Sequence, residues 1–257
     1  MKNNKSLGQH WLKDRQILDE IAELALGDAP EDTSAVENRT CVEIGPGLGT
    51  LTSSLLRLFP RVVAVEFDEN LAKNLPKSFP GKNLEVVNRD FLKFDLDSIP
   101  APYVIAGNIP YYITSPIIMK ILETDNQPDR AVLLIQKEVA ERIAAGAGSH
   151  TVLSLSVQNL ANVKLGPIVK KELFTPAPKV DSEVIILEPK SPVVSEEVIR
   201  FIKKGFSAPR KKLAKNLNFI DKDLLSEAFS ELNISENARP ADLALDKWQK
   251  LYEKHSK

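Results

Sequence analysis

Thr40-Cys41-Val42-Glu43-Ile44-Gly45-Pro46-Gly47-Leu48-Gly49 is a short apolar run followed by three glycines at alternate positions. A run of that length closed by breakers reads as a buried strand, here over 41–44. Glycines directly behind it let the backbone come close to a ligand before a helix starts. The spacing is not the dinucleotide pattern G-x-G-x-x-G, whose third glycine would fall one residue later. Taken alone, such a loop is as readily a structural turn.

The chain on either side settles the fold class. Strands are expected at 61–65, 84–87, 103–106 and 131–135, with helices at 51–59, 69–77, 115–122 and 137–145 between and after them. A helical run follows at 152–160. Two closing strands, 163–169 and 183–187, can pair as neighbours. Strand–helix alternation of this kind implies an α/β fold with a mostly parallel sheet and right-handed crossovers. Seven strands are expected in all. In such sheets ligands bind beyond the carboxyl ends of the strands. Three features fall there in order: the glycines Gly45, Gly47 and Gly49, then Glu66 at the end of the second strand, then Asp90 just past the third. A carboxylate at Glu66 can accept both hydroxyls of a ribose, and Asp90 can accept from an adenine amine. Together they point to a nucleoside-containing ligand.

The fourth strand leads into Asn108-Ile109-Pro110-Tyr111. The Asn108 side-chain oxygen and the Pro110 carbonyl can both accept from an exocyclic NH2 group. Pro110 fixes its own φ and restricts Ile109 to extended geometry. Tyr111 offers a flat face on which a base can stack. Two acceptors that fix both N–H directions leave the nitrogen lone pair aimed at an electrophile. The bland alternative is a strand-to-helix turn with Tyr111 as packing.

Composition narrows the remaining classes. The chain has 257 residues, 43% hydrophobic and 27% charged, as expected of a soluble globular protein. No segment reaches the roughly 18 apolar residues of a membrane span. Met1-Lys2-Asn3-Asn4-Lys5-Ser6 leads into no apolar segment, so no secretory signal is expected and the protein is read as cytoplasmic. The single Cys41 reads as a buried reduced thiol. Three scattered His and one Cys give no metal-ligand spacing, and no metal is expected. The breaker-rich segment 27–39 is expected as a surface loop.

A composition change at Glu188-Pro189-Lys190-Ser191-Pro192 divides the chain into domains over 1–188 and 189–257. Beyond it only helical periodicity remains, at 198–206, 210–217, 224–232 and 243–252. Net charge is −1 overall, yet residues 190–257 hold fourteen Lys/Arg against ten Asp/Glu. Arg200, Lys203, Lys204, Arg210, Lys211, Lys212 and Lys215 form a stripe with no acid among them. Such a stripe favours a polyanion partner, with a solvated helix face as the alternative.

Several segments resemble one family closely. They are Leu7-Gly8-Gln9-His10-Trp11-Leu12, Val42–Gly49, Asn108–Tyr111, Gln136-Lys137-Glu138-Val139-Ala140-Glu141-Arg142 and Phe174-Thr175-Pro176-Ala177-Pro178-Lys179-Val180-Asp181-Ser182. They are similar to the ribosomal RNA adenine N6-dimethyltransferases and span nearly the whole chain. The resemblance implies a Rossmann-like class I methyltransferase with a seven-stranded mixed sheet and a small C-terminal all-α domain, using S-adenosyl-L-methionine. Phe206–Leu217 and Arg239-Pro240-Ala241-Asp242-Leu243 resemble the small-subunit branch of that family. The implied substrate is then two adjacent adenosines near the 3′ end of small-subunit rRNA, within an assembling 30S subunit, with the protein acting as a monomer. Carried over by position, His10, Leu12, Gly45, Gly47, Gly49, Glu66, Asp90 and Asn108 are implied at the cofactor. Asn108, Pro110 and Tyr111 are implied around the target adenine, with Phe174 closing its other face. Arg210, Lys211, Lys212 and Lys215 are implied on the RNA. The chain departs from the family's usual residues at Leu7, His10 and Trp11, and has Val152-Leu153-Ser154 where Tyr-Gly-Arg is frequent. Two other readings stay open: a large-subunit rRNA methyltransferase of the antibiotic-resistance type, and a non-catalytic small-subunit assembly factor.

Overall fold

The structure is a computed structural model that describes residues 10–27 and 39–255. Leu7–Gln9 of the first resembling segment, and most of the expected surface loop, lie outside the described residues. The chain divides into two compact units, one of residues 1–140 and 162–189, the other of 141–161 and 190–257.

The first unit is built on a seven-stranded sheet. Its strands are β2 (Thr40–Ile44), β3 (Arg61–Glu66), β4 (Leu84–Asn88), β5 (Tyr103–Asn108), β6 (Arg130–Gln136), β7 (Ala161–Val169) and β9 (Ser182–Pro189). They lie in the order β4-β3-β2-β5-β6-β9-β7. Pairing is parallel from β4 through β6, and β9 joins β6 antiparallel. The seven expected strands are therefore the seven observed, and the two closing strands are neighbours. Two-residue strands β1 (Trp11–Leu12) and β8 (Phe174–Thr175) form a separate small ladder, too short to leave a periodic signal in the sequence.

Every residue of β2 is buried, the polar Thr40 and Glu43 included, which is why its sequence does not alternate between apolar and polar residues. On one face, α1 (Arg15–Leu26) and α2 (Thr50–Leu58) pack in a cluster that includes Ile21, Leu55, Val104, Ala106, Val132 and Leu134. Alternation along β5 sends the equally buried Ile105 to the opposite face. Helix α1 starts where the Asp14 carboxylate accepts from Ile17 N at 3.0 Å, an N-cap that satisfies one of the open N–H groups of the first turn. Helices α3 (Glu69–Asn74), α4 (Thr114–Glu123) and α5 (Lys137–Ile143) fall close to their expected places.

The connections place the site. From β2 the chain runs outward through β3 to β4, then crosses to β5 on the other side of β2. The order reverses between β2 and β5, and a crevice opens above their carboxyl ends. Ile44 pairs with Gly107 across that line. The glycine loop and Asn108 therefore rise from adjacent strand ends.

The second unit is helical, and its core gathers Phe201, Ile202, Leu213, Leu225, Phe229 and Trp248. Leu155 of α6 (Val152–Leu160) belongs to this cluster. Residues 141–161 thus fall outside the 1–188 unit expected from composition. Helices α7 (Glu196–Gly205), α9 (Lys222–Glu231) and α10 (Leu245–His255) lie close to their expected places. The expected helix over 210–217 shrinks to α8 (Leu213–Asn216), and Arg210, Lys211 and Lys212 form the turn before it. Three consecutive cations add no apolar side to a helix, and helix order begins where Leu213 is buried.

Candidate active site

A cavity of about 250 Å³ opens at the crevice between the ends of β2 and β5. Its wall includes His10, Gly45, Gly47, Glu66, Asp90, Asn108, Pro110 and Tyr111. Eight residues named from the sequence thus meet at one place.

The glycine loop is shaped by left-handed backbone. Gly47 has φ +58°, and a Cβ there would stand 3.0 Å from the Trp11 indole, so neither the conformation nor the space suits a side chain. Its N–H donates to Glu66 Oε2 at 3.0 Å, while Asp68 N–H donates to Oε1 at 2.8 Å. Each Glu66 oxygen keeps a lone pair beyond these bonds. Burial raises the Glu66 pKa above the ordinary carboxylate value, and the two backbone donors act against that rise. Asp90 caps its own turn, accepting from Leu92 N at 3.0 Å.

Asn108 is the last residue of β5 rather than a loop residue. Its Nδ2 donates to the His10 carbonyl at 2.8 Å. With the donor end of the amide engaged, Oδ1 is the end left to accept. His10 is held in turn, its Nδ1 donating to the Pro176 carbonyl at 2.7 Å. The His10 and Tyr111 rings lie near-parallel, centroids 6.1 Å apart with 22° between planes. The Tyr111 hydroxyl shares a 2.7 Å hydrogen bond with Ser182 Oγ, and burial raises its pKa, so the phenol is neutral. The Pro110 carbonyl accepts from Ile113 N at 3.2 Å. Thr114 Oγ1 sits closer to the Tyr111 carbonyl (3.2 Å) than to that of Pro110 (3.5 Å). Pro110 thus keeps acceptor capacity.

Three residues expected at the site are elsewhere. Leu12 is 1% exposed and belongs to the core cluster; strand alternation turns Trp11 to the cavity and Leu12 away. Phe174 pairs with Leu12 across β1–β8 and is 3% exposed in the same cluster, so its ring packs the core rather than facing the cavity. Gly49, at φ +82°, starts α2, and a Cβ there would meet Leu75 and Phe79 at 2.7 and 2.8 Å. Its left-handed backbone and close neighbours suit helix entry. Sequence reasoning missed Trp11, Phe67, Arg89 and Tyr112, which also line the cavity. Adjacency to Glu66, Asp90 and Tyr111 was the available signal for the last three. Arg210, Lys211, Lys212 and Lys215 belong to the second unit. Among the described residues no group of three His, Cys, Asp or Glu can hold a metal ion, and no helix is long and apolar enough to cross a membrane.

A mostly parallel sheet with glycine loop, ribose-suited carboxylate and amine-suited asparagine at one switch point defines an α/β nucleotide-cofactor fold of the Rossmann-like methyltransferase class. The chain belongs to the ribosomal RNA adenine dimethylase family, whose model matches residues 1–257. It is 40% identical to "Ribosomal RNA small subunit methyltransferase A" of Nostoc punctiforme, over 96% of this chain and 93% of the relative. The Mycoplasmopsis pulmonis protein of the same name is also 40% identical, over 90% of each chain. Among solved structures, a Plasmodium falciparum dimethyladenosine transferase superposes with a TM-score of 0.77 at 28% identity, covering 95% of this chain and 98% of that one. The 23S rRNA methyltransferase ErmE reaches 0.76, also at 28%, covering 96% and 100%. The fold is thus shared with a dimethyladenosine transferase and a 23S rRNA methyltransferase alike, while the sequence relatives are named for the small subunit.

Proposed function

We propose that the protein dimethylates N6 of two adjacent adenosines near the 3′ end of small-subunit rRNA, using S-adenosyl-L-methionine. It does so as a cytoplasmic monomer acting on an assembling 30S subunit. The observation that carries the catalytic reading is the Asn108 amide, anchored through Nδ2 to the His10 carbonyl with Oδ1 left to accept.

The cavity fits the cofactor. A Cβ at Gly45 would meet nothing within 4 Å, so the loop leaves an open cradle. Glu66 beside it presents a carboxylate for ribose hydroxyls, and Asp90 an acceptor for a base amine. When bound, S-adenosylmethionine supplies an electrophilic sulfonium methyl group. In the first transfer Asn108 Oδ1 and the Pro110 carbonyl would accept from the two N–H bonds of the adenine amine and orient its lone pair. In the second, one of them would accept from the single N–H that remains, and each transfer releases one N6 proton. Tyr111 provides a ring for the extruded base, held by Ser182 and His10. The protein's contribution is positioning and exclusion of water, with no strong general base required. An unpaired loop makes extrusion of the target base cheap. Arg210, Lys211, Lys212 and Lys215 in the helical unit bind RNA phosphates.

Labelled methyl transfer to undermethylated small and large ribosomal subunits, with the products mapped by mass spectrometry, tests the proposal. Paired dimethyladenosines in small-subunit RNA are expected. Label confined to the large subunit would assign the antibiotic-resistance reaction. Tight binding without label would leave an assembly factor.

A further inference from the structure

The helical unit carries an aromatic ring that its core does not enclose. Phe201, Phe206 and Phe229 are 4%, 8% and 4% exposed, whereas Phe219 is 47% exposed. It stands in the turn between α8 and α9, with exposed Lys215 and Asn218 nearby in the chain. The Asn216 amide donates to the carbonyls of Gly205, at 2.7 Å, and Ala208, at 3.1 Å. That clamp ties α8 to the end of α7, whose last turn holds Lys204. Lys204 Nζ lies 5.3 Å from the Phe219 ring centroid. Phe201 and His255 meet the ring edge-on, at 6.3 and 5.8 Å. The buried Phe201 and the exposed His255 border the ring, while a flexible ammonium lies over one face.

We infer that Phe219 and Lys204 form a stacking site for an unpaired base of the RNA substrate, with Lys204 moving from the ring to the adjoining phosphate. The inference rests on the rRNA reading above and deepens it. Charge commits the occupant to a polyanion: among the described residues, Lys203, Lys204, Arg210, Lys211 and Lys212 take part in no ion pair. Nucleic acid uses both halves of the site, a phosphate for the ammonium and a π-face for the ring. An acidic protein segment would use only the cation. A single exposed apolar side chain needs no function, so the competing reading is a lid over Phe201. A lid requires apolar bulk; a stack requires a flat ring.

That difference sets the test. Full-length wild type, Phe219→Leu and Phe219→Trp are titrated with undermethylated small subunits, with a short single-stranded oligoribonucleotide and with its abasic counterpart. Thermal melts establish that each variant is folded. Phe219→Leu is expected to bind the base-bearing RNAs about tenfold more weakly and the abasic strand unchanged. Phe219→Trp retains affinity, and its added emission is quenched on binding. Leu matching wild type on base-bearing RNA, or weakening both strands equally, would overturn the inference. If wild type itself neither binds nor methylates small-subunit RNA, the rRNA reading fails. If it does both while Phe219→Leu has no effect, only the stacking site falls.

Discussion

The crevice above β2 and β5 and the turn before α8 meet RNA, on the reading proposed here, by opposite means. In the crevice each group is aimed. The Asn108 amide is pinned to the His10 carbonyl, and the Tyr111 hydroxyl to Ser182. In the turn, Arg210, Lys211 and Lys212 are exposed and unpaired among the described residues. Directed hydrogen bonds in a shielded cavity discriminate between chemical groups. Solvated cations recognise charge density and little else. The crevice should therefore answer to single-atom changes and to pH, and the turn to salt.

The largest effect should come from Asn108→Ala, which removes the directed acceptor. Single-turnover methyl transfer is expected to fall by about 10²–10³-fold, the cost typical of deleting one preorganised hydrogen-bonding group at a reacting centre. A rate equal to wild type would put the crevice on the same footing as the turn. Next is Glu66→Ala, which removes the proposed ribose acceptor and the partner of Gly47 and Asp68. Cofactor affinity by calorimetry should drop about 10- to 100-fold, as for hydrogen bonds to a charged group. A drop in RNA affinity without one for cofactor would move Glu66 out of the cofactor half.

Glu43 supplies the pH contrast. It is 1% exposed, and Thr52 Oγ1 donates to its Oε2 at 2.6 Å. Burial is the main cause that pushes its pKa to about 8, with the Glu66 charge adding to the rise. A folded-state pKa above the unfolded value means the native state holds the proton longer. The contribution to stability is thus fully present below the unfolded pKa and is lost as pH rises towards 8. In that window each pH unit removes up to about 1.4 kcal/mol. Denaturant melts from pH 5 to 8 should show wild type losing stability, and Glu43→Gln losing less. Parallel curves would mean Glu43 ionises normally in the fold.

For the turn, neutralising Arg210, Lys211 and Lys212 together should weaken RNA binding about tenfold at moderate salt. It should also flatten the log–log salt slope by about 2–3, near 0.7–0.9 for each phosphate no longer neutralised. An unchanged slope would make the turn a solvated surface and leave recognition to the crevice.

The same contrast explains what the sequence disclosed. Strands buried on both faces, such as Val104–Ala106, cannot hide, because burial demands unbroken apolar runs. The glycines, Glu66 and Asn108 stood out because chemistry at a strand end needs particular residue types. Direction was less legible. Trp11 and Leu12 are adjacent, yet only a two-residue ladder decides which one reaches the cavity. Phe174 and Gly49 sit in matching motifs but are packed behind the cavity wall rather than on it. Helix α6 has a clear period, yet nothing in a period names its partner, and Leu155 packs with the C-terminal helices. The basic stripe was visible; that Arg210–Lys212 form a turn depended on Leu213 finding a core.

The smallest effect tests whether the crevice is as directed as its geometry implies. Ser182 holds only the hydroxyl of Tyr111, and β9 carries it to the ring from a strand antiparallel to β6. Ser182→Ala and Tyr111→Phe each delete the same hydrogen bond and leave the ring in place. Each should slow methyl transfer only a few-fold, in line with about 1 kcal/mol for a neutral hydrogen bond. Because both remove one interaction, the double variant should be no slower than either single. Additive losses would mean Ser182 and the Tyr111 hydroxyl act separately, with the hydroxyl touching substrate rather than anchoring the ring. Tyr111→Ala should cost far more than Tyr111→Phe if the ring face carries the base. Equal losses would shift the stacking role from Tyr111 to its neighbour Tyr112, the more exposed ring on the same wall.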